Sequence, residues 1–118
     1  MWKIVQAFDE NDVPLDKNRR ERFLRKHPEA MAFLDAKMQQ LAVMLNGGMS
    51  VAAAMTTVKW IHREQAGVHA IASREPPLRL YFLPLPDRQI LLTLTIGDKN
   101  QQGKDVNETA SWAKMILR

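Results

Sequence analysis

The chain has 118 residues, of which 46% are hydrophobic and 25% are charged, a balance typical of one globular domain. The absence of cysteine excludes disulfides, thiolate metal sites and cysteine nucleophiles, and no apolar run is long enough to span a membrane. The net charge of +4 is compatible with a polyanionic partner. The N-terminal residues lack a signal-peptide pattern, which predicts a cytoplasmic protein.

The N-terminal segment predicts a strand and then a basic helix. Residues 2–8 show the period-two pattern of a half-buried strand. One face would carry Trp2, Ile4, Gln6 and Phe8, and the other Lys3, Val5 and Ala7. Asp16 is a candidate N-cap for a charged helix that ends near Lys26. We therefore interpret residues 13–27 as a basic helical segment within a single domain that covers residues 1–118.

A second, longer helix is predicted from Pro28, a residue suited to the first helical position. Apolar residues recur along it at spacings of three and four, which predicts one buried stripe. The stripe consists of Met31, Leu34, Met38, Leu41 and Leu45. Asn46-Gly47-Gly48 ends this helix, whereas residues 50–58 are compatible with either a helix or a strand.

The second half of the chain predicts a three-strand meander over residues 67–73, 78–83 and 89–96. Alternation places Leu78, Leu80 and Phe82 on one face of the middle strand, with Arg79 and Tyr81 opposite. In the last strand, the same alternation groups even-numbered residues 90–96 on one face. The prediction is one apolar face that packs on helices and one face, carrying Arg79 and Tyr81, that is open to solvent.

The chain ends in a predicted helix that begins at Asp105, with Glu108 completing a capping box. Its predicted buried stripe consists of Val106, Ala110, Ala113 and Leu117. The expected fold is therefore α+β. It contains a small twisted antiparallel sheet, built from one strand and the meander, with the helices packed on one face.

Three segments carry a resemblance to a known family. Residues 97–106, Gly-Asp-Lys-Asn-Gln-Gln-Gly-Lys-Asp-Val, resemble the G-D-K-x-x-Q-x-x-D-I segment of "addiction module killer" toxins of the RelE/ParE superfamily. Residues 79–82 are similar to that family's Y-R-V-Y-F strand, and residues 67–68 to the start of its G-V-x-E-L-R strand. The sequence departs from the family where Ala70 and Ala72 replace the Glu and Arg of the last motif.

The resemblance implies a type II toxin that is neutralised by an antitoxin protein and that cleaves mRNA on the ribosome. It implies no metal and no cofactor, because a ribose 2′-hydroxyl attacks the adjacent phosphate with help from side chains. The implied catalytic candidates are Arg79 on the phosphate, Tyr81 on a base or a proton, Lys99 as charge stabiliser or base, and His62 as acid or base. Each also has a purely structural interpretation.

Six further cations are candidates for RNA binding. They are Lys59, Arg63, Arg74, Lys104, Arg19 and Arg20. The basic run from Lys17 to Lys26 is compatible with an electrostatic footprint for ribosomal RNA or with a solvated helix face. Its Phe23 and Leu24 also make it a candidate docking surface for an acidic antitoxin helix. Two alternatives to the nuclease stay open, and the missing arginine at Ala72 favours both. One is a toxin that binds DNA gyrase, and the other is an inactive relative that acts as a binding module.

Overall fold

The structure is a computed structural model and describes residues 1–8, 14–15, 17–98 and 102–117. The predicted cap at Asp16 and the predicted catalytic Lys99 lie outside these residues. The elements are β1 (Lys3–Gln6), α1 (Lys17–Lys26), α2 (Pro28–Asn46), α3 (Val51–Thr57), β2 (Ile61–Arg63), β3 (His69–Ala72), β4 (Leu78–Leu85), a 3-10 turn (Pro86–Arg88), β5 (Ile90–Asp98) and α4 (Gln102–Ile116). The α+β class is therefore confirmed.

The five strands form one mixed sheet in the order β1-β5-β4-β3-β2. Strands β2 to β5 form an antiparallel meander, whereas β1 runs parallel to β5, with Lys3 opposite Ile90. The prediction of an antiparallel sheet is wrong at this edge. The long helical connection after β1 frees the chain from hairpin geometry and so permits parallel pairing.

The predicted stripe of α2 forms the centre of the main core. All five residues of the stripe are buried, and they pack with Leu78, Leu80 and Phe82 of β4. The ambiguous segment is helix α3, in which the Ser50 hydroxyl caps the first turn by accepting a hydrogen bond from the backbone N–H of Ala53 at 3.1 Å. These elements cover one face of the sheet.

The opposite face is covered by α4, so the prediction that all helices pack on one face is wrong. Ala113 of α4 lies in a second core with Tyr81, Leu83 and Leu94, and Tyr81 is fully buried there. The sheet is thus sandwiched between two helical layers. Strands β4 and β5 carry apolar side chains on both faces, as a doubly covered sheet requires.

A β-bulge explains why simple alternation failed in β5. Tyr81 pairs with Thr95 but Phe82 pairs with Thr93, which leaves Leu94 as an extra residue. Consequently Leu92 and Leu94 pack in the α4 core, whereas Ile96 packs in the α2 core. The predicted grouping of residues 90–96 on one face is therefore wrong.

The start of α4 also differs from the prediction. The helix begins at Gln102 rather than at Asp105, and the Asp105 side chain is fully buried instead of capping the first turn. Ala110 and Ala113 are buried as predicted, but Leu117 is 57% exposed because it lies beyond the end of the helix.

Candidate nucleic-acid interface

A groove with a volume of about 830 Å³ lies between α2, the α3–β2 connection and the turn between β3 and β4. We call it the α2–β2 groove. Phe33 and Lys37 line it from α2, Lys59 and Trp60 come from the connection, and Arg74 comes from the turn. Its size is in the range of small-ligand and nucleotide sites.

Aromatic rings and cations alternate along the α2–β2 groove. The Lys37 ammonium lies 5.6 Å from the ring centroid of Phe33 and 5.1 Å from that of Trp60, a cation–π arrangement. Phe33 is 44% exposed. Aromatic faces of this kind stack on unpaired bases, and neighbouring cations bind the phosphates between those bases. Glu29 and Glu75 also line the groove, so its positive charge is moderate.

Three of the predicted site residues meet in this groove. His62 lies on the exposed edge strand β2, Lys59 precedes that strand, and Arg74 stands on the adjoining turn. The sequence interpretation missed Trp60 and Lys37. Trp60 could have been found from the sequence, because it is an aromatic residue directly after Lys59. Lys37 has no such signal, since only the packing of α2 brings it to the groove.

Arg79 is held in an ion pair on the other face of the sheet. Its Nη1 lies 3.0 Å from Oε1 of Glu64, and both side chains are mostly buried. A phosphate could reach this guanidinium only in competition with Glu64. The sequence interpretation missed Glu64 because it lies in the loop between β2 and β3, and only the strand register brings that loop to Arg79.

Tyr81 lies beneath α4 and does not reach the surface. Burial raises its pKa to about 12, and the neighbouring Asp105 carboxylate contributes in the same direction. Its hydroxyl has no hydrogen-bond partner among the described residues. The expectation that Tyr81 stacks on a base is therefore incompatible with this fold, because α4 covers the face on which it lies.

Arg19 and Arg20 join helices to one another. Arg19 Nη1 donates to Oδ1 of Asp105 at 2.9 Å, and its Nη2 lies 3.4 Å from Glu108, so the residue ties α1 to α4. Arg20 lies 3.7 Å from Asp35 of α2. Both predicted RNA-binding residues thus have tertiary partners.

The remaining two candidates lie apart from each other. Arg63 is exposed on β2, opposite His69 of β3, and lies next to His62 in the chain. Lys104 is exposed in the first turn of α4, on the opposite side of the sheet from α2. Lys104 therefore does not contribute to the α2–β2 groove.

The segment with the strongest resemblance contains a close contact between two of its residues. A Cβ atom placed on Gly97 would lie 1.7 Å from Oδ2 of Asp105. The carboxyl group therefore occupies the space where any larger residue at position 97 would put its side chain. This contact gives the glycine and the aspartate a structural role, independent of any chemistry at Lys99.

Within the described residues, no three histidine or acidic side chains converge to hold a metal ion. No helix in the same part of the chain has the length and apolarity needed to cross a membrane. Comparison with family models, with curated proteins and with solved structures finds no match to this chain.

Proposed function

We propose that the protein is the toxin of a type II toxin–antitoxin system of the RelE/ParE kind and that it cleaves mRNA on the ribosome in the cytoplasm. The observation that carries the proposal is the convergence of His62, Lys59 and Arg74 beside the partly buried ring of Trp60. The sequence resemblance over residues 79–82 and 97–106 adds to it. The α2–β2 groove, rather than the Arg79 face of the sheet, is the place proposed for RNA.

The groove residues suit cleavage without a metal ion. His62 would take the proton from a ribose 2′-hydroxyl as the 2′-oxygen bonds to phosphorus. Lys59 and Arg74 would stabilise the negative charge that develops on the phosphate oxygens. The bond to the 5′-oxygen then breaks, and this oxygen takes a proton from water. Trp60 would hold one base by stacking.

The proposed antitoxin would bind α1. Arg22, Arg25 and Lys26 are exposed on this helix, and Leu24 is 54% exposed among them. An amphipathic segment with acidic residues complements such a surface.

A second candidate function is a binding protein without nuclease activity, such as a toxin that binds DNA gyrase. The burial of Tyr81 and the pairing of Arg79 with Glu64 favour it, because both remove groups that the resemblance assigns to catalysis. The same fold can serve either function, so the fold does not decide between them.

The test is induced expression followed by primer extension on cellular mRNA. We expect growth arrest and cuts within reading frames, and we expect His62→Gln to slow cleavage by about 10²-fold, the usual scale for a lost general base. Lys114→Ala, an exposed cation on α4, is the matched control and should keep full activity.

Other outcomes separate the alternatives. Growth arrest with gyrase-linked DNA breaks and intact mRNA would establish the second candidate function. Normal growth at a high level of folded protein would contradict both toxin proposals. Full activity of His62→Gln and of Lys59→Ala would remove the groove from the mechanism.

A further inference from the structure

A second pocket, with a volume of about 460 Å³, lies between α1 and the end of β5. Arg19, Arg22, Phe23 and Lys26 line it from α1. Their spacings of three, one and three residues place them on one face of the helix. Residues 96–98 of β5 form the facing wall. We call this the α1–β5 pocket.

The pocket exists because β1 is shorter than β5. Strand β1 pairs with β5 only as far as Thr93, and the Ala7 backbone N–H donates the last hydrogen bond to the Thr93 carbonyl at 2.9 Å. Beyond Thr93, the element of the described part of the chain that lies beside this edge of β5 is α1. A helix cannot approach an edge as closely as a paired strand does, so a hollow remains.

Arg19 is the cation of this pocket that the fold neutralises, through Asp105 and Glu108, whereas Arg22 and Lys26 have no acidic partner among the described residues. Arg22 and Lys26 are exposed and form no ion pair with any described residue, and the Arg22 guanidinium lies 5.0 Å above the Phe23 ring. His27, at the junction of α1 and α2, also lines the pocket. The acids here are Asp98 and the buried Asp105, which is paired with Arg19.

We propose that the α1–β5 pocket binds a phosphate group, with Arg22 and Lys26 as the charged donors and His27 as a third donor. The planar guanidinium binds two phosphate oxygens and the ammonium a third. The phosphate can belong to a free anion or nucleotide or to a nucleic-acid backbone. The proposal does not depend on the nuclease site proposed above, since the α2–β2 groove is made of other residues, but the pocket shares Arg22 and Lys26 with the surface proposed for the antitoxin.

The experiment is a nuclear magnetic resonance titration of the full chain at constant ionic strength. The probes are inorganic phosphate, pyrophosphate and a single-stranded RNA hexamer, with sodium chloride as the reference. We expect saturable shifts of the Lys26, His27 and Gly97 amide signals. Arg22→Ala and Lys26→Ala should each weaken binding about tenfold or more, the scale of one charge-assisted hydrogen bond.

Arg25→Ala is the matched control, because Arg25 is an exposed cation of the same helix outside the pocket. It should leave the affinity unchanged, and Arg22→Lys should recover part of it. Shifts with inorganic phosphate or pyrophosphate assign the site to a free anion. Shifts with RNA alone, weakened by Arg22→Ala and not by Arg25→Ala, assign it to a nucleic-acid backbone.

Two results would overturn the proposal. One is the absence of any shift beyond that caused by chloride. The other is an equal loss of affinity in Arg22→Ala and Arg25→Ala, which would mean diffuse attraction to a basic helix. If Arg22→Ala loses phosphate binding but still arrests growth, the phosphate site is established. The same result would show that the proposed toxin activity does not require this pocket.

Discussion

The contact between Gly97 and Asp105 decides how closely α4 approaches the sheet at its first turn. The carboxyl group lies against the backbone of β5, with Oδ1 paired to Arg19 and Oδ2 buried without a partner among the described residues. Thr95 Oγ1 lies 3.4 Å from the same arginine. Three elements are thereby fixed by one carboxylate.

We expect Gly97→Ala to destabilise the protein, because its Cβ would overlap Oδ2 of the buried Asp105. Overpacking of this kind costs about 1–3 kcal/mol. Gly103→Ala is the matched control: no atom lies within 4 Å of the added Cβ, and alanine favours the helix by up to about 1 kcal/mol. Urea unfolding of both variants checks the expectation, and equal free energies of unfolding for the two would contradict it.

Asp105 also predicts a pH dependence of stability. The pKa of this carboxyl is raised, chiefly by burial and further by the nearby Glu108 and Asp98. Arg19 lowers it, but not enough to reverse the shift. Because the folded protein binds this proton more tightly than the unfolded chain, the contribution of Asp105 is fully present below its unfolded pKa and is lost as pH rises through the folded pKa.

The measurement is the free energy of unfolding of wild type and Asp105→Asn at several pH values. The free energy of unfolding of wild type, relative to that of Asp105→Asn, should increase as the pH falls from neutral towards the unfolded pKa of Asp105. Asp87→Asn, an exposed carboxyl in the turn before β5, serves as the control. A difference independent of pH would show that Asp105 titrates alike in both states.

At the scale of elements, α4 converts a two-layer protein into a three-layer one. Ala113 is fully buried where α4 crosses the sheet, in the same core as Tyr81 and Leu94. A small residue at the crossing lets the helix approach the strands closely. The bulge at Leu94 divides β5 between the two layers, since Leu92 and Leu94 face α4 whereas Ile96, beyond the bulge, faces α2.

We expect Ala113→Leu to lower the free energy of unfolding by about 1–3 kcal/mol, because there is no space for the larger side chain under α4. Ser111→Leu, on the exposed side of the same helix, should change stability by about 0.5 kcal/mol or less. Chemical denaturation measures both. If the two variants were equally stable, α4 would not be packed on the sheet in the way described.

At the scale of the whole molecule, the two candidate binding sites lie at different places. The α2–β2 groove opens beside the edge strand β2, and the α1–β5 pocket lies beside the strand near the other edge of the sheet. The +4 charge of the chain is therefore distributed between separate surfaces. Four of the ten predicted site residues have a place in the packing of the fold: Arg79, Arg19 and Arg20 form ion pairs, and Tyr81 is buried.

Local pattern alone determined the helix stripe, the β4–β5 hairpin and the α+β class, because periodicity reports directly which side chains a helix or strand must bury. It also selected His62, Lys59 and Arg74, which the structure places in one groove. Only the tertiary structure decided which sheet face is covered, since neither the bulge at Leu94 nor the docking of α4 has a local signature. It likewise decided that Glu64 neutralises Arg79 and that Lys37 joins the groove, because such contacts depend on how distant segments pack.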